Sequence, residues 1–332
     1  MAGLQVLLIG GTGIISSAVA ARAVAQGHRV TLLNRGTTAR RAVPDGAEVI
    51  TGDIRDVAGI RSRLGDRSWD VVADFVAYTP DHVRADIDLF DGRTRQYVFI
   101  SSASAYAKPV ARLPITEATP LANPHWDYAR QKIACEVVLA EAFRSTGFPI
   151  TIVRPSSTYD RTKIALLGGW TAADRIRRGL PVVVPGDGTS RWVQTHTDDV
   201  AVGLAGLFGN PAALGGSFHL TSDESLTWDQ IYRLYGEALG VEPDLVHLAT
   251  DSLAHFLPEL APGWLGDKSH TMIFDNSLIR AVVPEFNPTI PYATGVRDIV
   301  AWFDADEARR VVDPVLDTTL TRIVDAVRGL GR

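Results

Sequence analysis

One cysteine and two methionines stand in a chain of 332 residues. With Cys135 alone, no internal disulfide forms, and no cysteine-built zinc or iron–sulfur site is available. The eight histidines are scattered, with no His-x-x-x-His pair and no carboxylate cluster, so no metal site is expected. Charge of one sign is also missing. The 33 Lys and Arg against 38 Asp and Glu leave a formal charge of −5, which offers no basic field for a nucleic acid. Long hydrophobic runs are absent: stretches such as Val200–Phe208 fall short of the roughly 18–20 residues of a membrane span. The first 21 residues carry no Lys or Arg, so no secretory signal is read there. The sequon at Asn287 is cancelled by Pro288. A cytoplasmic protein without membrane or nucleic-acid partners is expected. Gly 29 and Pro 18 are background levels and exclude a collagen-like or low-complexity chain. Neither a Walker A sequence nor a Gly-x-Ser-x-Gly elbow occurs.

What is present is material for a core: 46% hydrophobic and 21% charged residues. Short apolar runs alternate with helical stretches over the first 160 positions. Strands are predicted at Gln5–Ile9, Arg29–Leu33, Glu48–Thr51, Val71–Phe75, Gln96–Ile100 and Ile150–Val153, with helices at Ile14–Gln26 and Asp127–Ser145. Continuous apolar strands separated by helices indicate a parallel sheet covered on both faces. The predicted fold is α/β, a Rossmann-type doubly wound parallel sheet with a smaller C-terminal substrate lobe. The sheet domain is expected over 1–165, with 192–222 (helix Thr197–Phe208, strand Phe218–Thr221) returning to it. The lobe is expected over 166–191 and 223–332, where Trp228–Leu239 reads as an amphipathic helix capped by Thr227 and stopped by Gly240.

Gly10-Gly11-Thr12-Gly13 lies between the first strand and the first helix. Glycine there permits a tight turn and lets backbone N–H groups approach a pyrophosphate at a helix N-terminus. The third glycine of the dinucleotide fingerprint is replaced by Ser16, still small enough for close helix–strand packing. The second strand ends Leu33-Asn34-Arg35 with Arg40 and Arg41 behind and no carboxylate, which favours NADP over NAD. Gly52-Asp53-Ile54 follows the third strand, at the place that faces an adenine. Tyr128 and Lys132 are spaced i, i+4 and share a helix face. An ammonium beside a phenol is expected to stabilise the phenolate, and lowering a tyrosine pKa from about 10 toward 7 is worth roughly 4 kcal/mol. Ser102, after an apolar strand, is placed to bond a reacting oxygen.

Together these segments make the chain resemble an extended short-chain dehydrogenase/reductase of the NAD-dependent epimerase/dehydratase group. The resemblance is carried by Gly10–Gly13, Gly52-Asp53-Ile54, Phe99-Ile100-Ser101-Ser102 through Tyr106, Thr116-Glu117, Tyr128–Lys132, Arg154-Pro155 with Tyr159, and Asp199-Val200-Ala201. It implies Ser102, Tyr128 and Lys132 as the catalytic set. The implied cofactor contacts are Gly10, Thr12, Gly13, Ile14, Ile15, Asn34, Arg35, Asp53, Ile54, Ala77, Ser101, Tyr128, Lys132 and Pro155, with Arg154 and Pro155 beside the nicotinamide. It also implies a homodimer built on paired helices, one of them bearing Tyr128.

The departures narrow the reading. Dehydratases of this group place Asp-Glu after the catalytic hydroxyl, where this chain has Ala103-Ser104, so elimination of water is not expected. In the arginine-led stretch that holds a nucleotide-sugar diphosphate, His196 takes the histidine place. The arginine place falls on Trp192, with Arg191 one residue early. Ser104, Arg191 and His196 are the candidate substrate residues. The basic run Arg161, Lys163, Arg175, Arg177 and Arg178 reads either as a solvated face or as attraction for an anionic substrate. Trp126, Trp170, Trp192 and Trp264 are candidates for a pocket wall or for core. Two enzymatic readings compete: an epimerase of a sugar or nucleotide-sugar-like substrate, and an NADPH-dependent ketoreductase acting on a non-sugar carbonyl metabolite. A non-catalytic nucleotide- or RNA-binding relative is the third.

Overall fold

The structure, a computed structural model, describes residues 3–37 and 41–329; Arg40 lies outside the described residues. The first half alternates as β1 (Gln5–Ile9), α1 (Ile14–Ala25), β2 (Arg29–Asn34), β3 (Glu48–Thr51), α2 (Val57–Leu64), β4 (Val71–Asp74), α3 (Pro80–Phe90), β5 (Tyr97–Ile100), α4 (Asp127–Thr146) and β6 (Ile150–Val153). The second half runs β7 (Ser157–Tyr159), α5 (Trp170–Arg177), β8 (Val182–Pro185), β9 (Arg191–Trp192), β10 (Gln194–His196), α6 (Thr197–Leu207), β11 (Ser217–Phe218), β12 (Leu226–Thr227), α7 (Trp228–Leu239), β13 (Leu245–Leu248), α8 (Thr250–Phe256), α9 (Ala261–Gly263), α10 (Ser277–Val282), α11 (Tyr292–Asp304) and α12 (Pro314–Gly329).

Seven strands form one sheet in the order β11-β6-β5-β4-β1-β2-β3, and every pairing in it is parallel. Strands β4, β5 and β6 are buried at every position because helices cover both faces. On one face α1 and α6 close over Val6, Leu8 and Val98. On the other, α2, α3 and α4 close over Leu7, Ile9 and Phe99. Each fully buried aliphatic or aromatic side chain of this kind contributes about 1.5–3 kcal/mol. Strand order reverses between β1 and β4, and a crevice opens there at the carboxyl ends of the strands. That crevice positions the site.

A second core gathers Trp170, Val183, Trp228, Tyr232, Tyr292 and Ile323 from the later elements. Helix α7 is held by a capping box, Gln230 N donating to Thr227 Oγ1 and Thr227 N donating to Gln230 Oε1, and ends at Gly240 with φ +71°. The two cores do not divide the sequence cleanly. Ile279, Val283 and Phe286, inside 223–332, pack into the sheet core with α1 and α6. Conversely, Tyr106, Ile115 and Tyr159 belong to the second core. The second core is thus built by long-range packing and draws on residues on both sides of position 165.

Candidate active site

The turn after β1 meets its constraints through backbone geometry. Gly10 has φ +81°, and a Cβ there would lie 2.5 Å from Val76 Cγ1. Ser16, at the place of the third glycine, locks the turn: its Oγ donates to Gly10 O at 2.6 Å and accepts from Gly13 N at 2.8 Å. Helix α1 begins at Ile14, so the N–H groups of its first turn have no carbonyl partner within the helix, and Ile14, Ile15 and Ser16 line the crevice. Two contiguous cavities share Gly10, Gly13, Val76 and Tyr78. One, of about 520 Å³, is lined by Asn34, Arg35, Asp53 and Ile54 along with Thr12. The other, of about 370 Å³, is lined by Ile14, Ile15, Ser101, Ser102, Tyr128, Lys132 and Pro155. A dinucleotide fits this shape: a small-residue turn and a helix N-terminus for the pyrophosphate lie between an adenine-side and a nicotinamide-side cavity. Among the described residues no His, Cys, Asp and Glu group suited to a metal occurs, and no helix is long and apolar enough to cross a membrane.

Lys132 is 2% exposed. Its ammonium donates to Ala77 O and to Ile100 O, both at 2.7 Å. Ala77 itself is fully buried, so the contact it offers is this carbonyl. The loop that presents it is fixed by Asp74, whose Oδ1 accepts from the N–H groups of Val76 and Ala77. Arg55 in turn lies 3.5 Å from Asp74 Oδ2 and 3.6 Å from Asp86 Oδ1. Burial and the neighbouring Asp74 hold the Asp86 carboxyl well above the usual range.

The expected depression of the Tyr128 pKa is not what the site shows. Burial pushes the phenol up to about 12, with the Ser102 hydroxyl pulling the other way. The reason is geometric. The Lys132 ammonium is committed to two carbonyls and stands 5.8 Å from the Tyr128 ring centroid. Burial also pushes the lysine itself down to about 8. Ser102 Oγ lies 2.8 Å from Ser104 Oγ.

Arg154 does not line the cavity. It is 5% exposed and gives Glu136 a two-pronged ion pair, Nε to Oε1 at 2.9 Å and Nη2 to Oε2 at 2.6 Å. Ser101 Oγ donates to the same carboxylate at 2.5 Å. Arg154 also reaches Tyr106 Oη, which contacts His219 Nδ1 at 3.1 Å. Arg154 and Tyr106, which carry the family resemblance, thus form a buried scaffold beneath the site, tied through Glu136 to the cavity-lining Ser101.

Beyond Tyr128 an outer cavity of about 420 Å³ opens, sharing Ser102, Tyr128, Ser156 and Lys163 with the inner one. Ser104, Trp126, Trp192 and Trp264 line it. Trp170 instead stacks on Phe303 in the second core, with centroids 4.6 Å apart. Arg191 is exposed and bonds Ser225, outside this cavity. His196 lines a separate surface pocket with Asp160 and Trp302. Neither is brought to Tyr128. Of the basic run, Arg175, Arg177 and Arg178 pair with Asp317, Asp304 and Asp174, Arg161 faces the His196 pocket, and only Lys163 turns into the outer cavity. Sequence reasoning did not single out Gln194, Asp267 or Lys268, which also line it. No local motif marks them. Arg41 bridges to Asp160 and Thr162 at 2.7 and 2.6 Å and is not a free cation.

Comparison with known proteins agrees with this geometry. The NAD dependent epimerase/dehydratase family matches residues 6–218, and the chain belongs to that family. It is 27% identical over 289 residues to 2'-dehydrokanamycin reductase of Streptomyces kanamyceticus, covering 85% of this chain and 80% of the relative. It is 33% identical over 169 residues to a UDP-glucose 4-epimerase of Lactobacillus helveticus, covering 46% of this chain and 51% of that protein. An epimerase from Methanothermobacter thermautotrophicus superposes with a TM-score of 0.76 at 16% identity, covering 93% and 95% of the two chains. The fold is accordingly the Rossmann-like α/β fold of these enzymes, and the general activity is NAD-type, of the epimerase or reductase kind.

Proposed function

We propose that this chain moves hydride at a hydroxyl- or keto-bearing carbon of a sugar-like substrate, with Tyr128 as the acid/base. The observation that carries the reading is that Ser102 and Tyr128 form the wall common to the inner and outer cavities. A reacting carbon held there touches both sides. When bound, the nicotinamide supplies the hydride donor or acceptor. Tyr128 Oη gives its proton to the substrate oxygen in reduction and takes it back in oxidation. A phenol pushed up to about 12 is protonated at neutral pH and ready to donate. Ser102 Oγ, backed by Ser104, orients the oxygen. Lys132 ties the loop after β4 to the end of β5 and faces the ribose side. The indoles around the outer cavity exclude water.

An exchanging, NADP-preferring reductase is the favoured form. Arg35 and Asn34 line the adenine-side cavity at the end of β2, and no carboxylate stands in that turn. The Ala103-Ser104 pair argues against a dehydratase. A retained-cofactor epimerase is the second form, favoured by the Lactobacillus relative. We further propose a homodimer built on paired helices that include α4, where Val137 is exposed, and a cytoplasmic setting. The net charge of −5 disfavours the RNA-binding alternative.

The test is the nucleotide released on denaturing the dialysed protein, followed by titration with NADPH and NADH. An empty protein that binds NADPH more tightly supports the reductase. Stoichiometric NAD supports the epimerase and overturns the role of Arg35. No binding of either nucleotide overturns the reading as a whole.

A further inference from the structure

The wall of the outer cavity carries polar groups with no partner among the described residues. Gln194 is 3% exposed and Trp192 2% exposed. Neither amide atom of Gln194 nor the indole Nε1 of Trp192 has a hydrogen-bond partner. A buried polar group left unpaired costs about 1–3 kcal/mol. Such atoms need a partner from outside the chain's own hydrogen-bond network, an ordered water or a ligand group. The two residues are two positions apart on an extended segment, so their side chains leave on the same side, and both line the outer cavity. Gln194 offers a donor and an acceptor, and Trp192 a donor. Hydroxyl groups, which both give and accept, match that set. The indoles of Trp126, Trp228 and Trp264 supply flat apolar surface for the C–H face of a ring.

Charge on the same wall is one-sided. Lys163 and Lys268 line the cavity, and Asp267 is the only carboxylate among its described lining residues. Asp267 is shared, with Oδ1 3.7 Å from Lys108 Nζ. Lys163 Nζ has one protein partner, Thr158 O at 2.8 Å. Burial and the Lys268 ammonium push it down to about 8. Burial holds Lys268 down too, and its Nζ stands 5.5 and 5.7 Å from the ring centroids of Trp126 and Trp264. Two lining ammonium groups face one lining carboxylate, which Lys108 also engages from behind the wall, and Asp160 acts on Lys163 from outside the cavity. In a partly desolvated space this leaves a positive excess that an anion relieves.

Building on the hydride-transfer reading above, we propose that the outer cavity takes an anionic, hydroxylated ring: a sugar or sugar-like ring bearing a carboxylate or a phosphate. Gln194 and Trp192 bind its hydroxyls, and Lys163 and Lys268 bind its anionic group. Lys163 stands at the mouth common to both cavities, whereas Lys268 belongs to the outer one alone. Lys268 is thus the cleaner probe. A ring bearing an ammonium meets like charge here.

Calorimetry and tryptophan fluorescence on the full chain test this, with D-glucuronate, D-glucose 6-phosphate, D-glucose and D-glucosamine as probes. At least one acid is expected to bind roughly tenfold or more tightly than glucose or glucosamine, a difference of about 1.4 kcal/mol. The preference is expected to shrink with added salt, to disappear in Lys268→Met and to weaken in Lys163→Met. Which acid binds tells carboxylate from phosphate. Glucosamine or glucose binding as tightly as both acids overturns the proposal. So does failure of both acids at millimolar concentration, or an acid preference that survives in both lysine variants. NADPH and NADH are titrated separately on the same samples. Loss of dinucleotide binding with the acid preference intact refutes the hydride-transfer reading alone, and the converse refutes this proposal alone.

Discussion

Lys132 and Ala77 lie 55 residues apart in sequence, and the Lys132 ammonium donates to the Ala77 carbonyl oxygen at 2.7 Å. A second bond of the same length ties it to Ile100 O. The lysine is thus a strut between the ends of β4 and β5. Lys132→Met keeps most of the volume and leaves both carbonyls unpaired, which costs about 1–3 kcal/mol each where they stay dry. The expected outcome is a fall in kcat of about a hundredfold or more together with weaker dinucleotide binding. Steady-state kinetics with varied nucleotide check it.

Asp74 fixes the same loop through its backbone N–H groups, as a positioning residue. Asp74→Ala removes the acceptor for Val76 N and Ala77 N and strips Arg55 of a nearby carboxylate. Dinucleotide KM is expected to rise, and the melting temperature to fall. Asp74→Asn keeps an oxygen acceptor and should restore part of the KM effect.

Arg154 and Glu136 form a buried ion pair that also carries Ser101. Removing either partner leaves a buried charge alone, and Arg154→Met or Glu136→Gln is expected to cost about 3–5 kcal/mol in urea unfolding. The double variant should lose less than the sum of the two, because the surviving partner no longer pays for isolation.

Lys163 makes stability depend on pH in a defined window. Its folded pKa is near 8 and its ordinary value is 10.5. Between these values the unfolded chain holds the extra proton, so the lysine's contribution to stability rises with pH. Below about 8 the cost of burying the ammonium is fully present. The melting temperature of the natural protein minus that of Lys163→Met should therefore increase between pH 8 and 10.5. A flat difference across that window contradicts the burial of Lys163.

Local spacing made part of this legible. The Gly10–Gly13 turn, the shared helix face of Tyr128 and Lys132, and the capped helix α7 all rest on contacts within a few residues. The parallel sheet follows from apolar runs buried on both faces. What escaped depends on distant packing. The direction of the Tyr128 shift turns on Lys132 being captured by two remote carbonyls. Gln194 on one segment and the adjacent pair Asp267 and Lys268 on another reach the outer cavity, and no spacing links them to Tyr128. Arg191, chosen for its nearness to a motif place, is drawn off by Ser225 on an adjacent strand connection.

The acid role of Tyr128 is tested by reduction of a keto sugar acid, 5-keto-D-gluconate, by the NADPH-loaded protein, followed as loss of reduced-nicotinamide absorbance and compared with Tyr128→Phe. Phenylalanine keeps the ring among Trp126 and Tyr78 and removes only the proton donor. Turnover by the natural protein is expected, with a fall of about a hundredfold or more in the variant and NADPH binding unchanged. Equal rates in the two proteins would contradict Tyr128 as the acid.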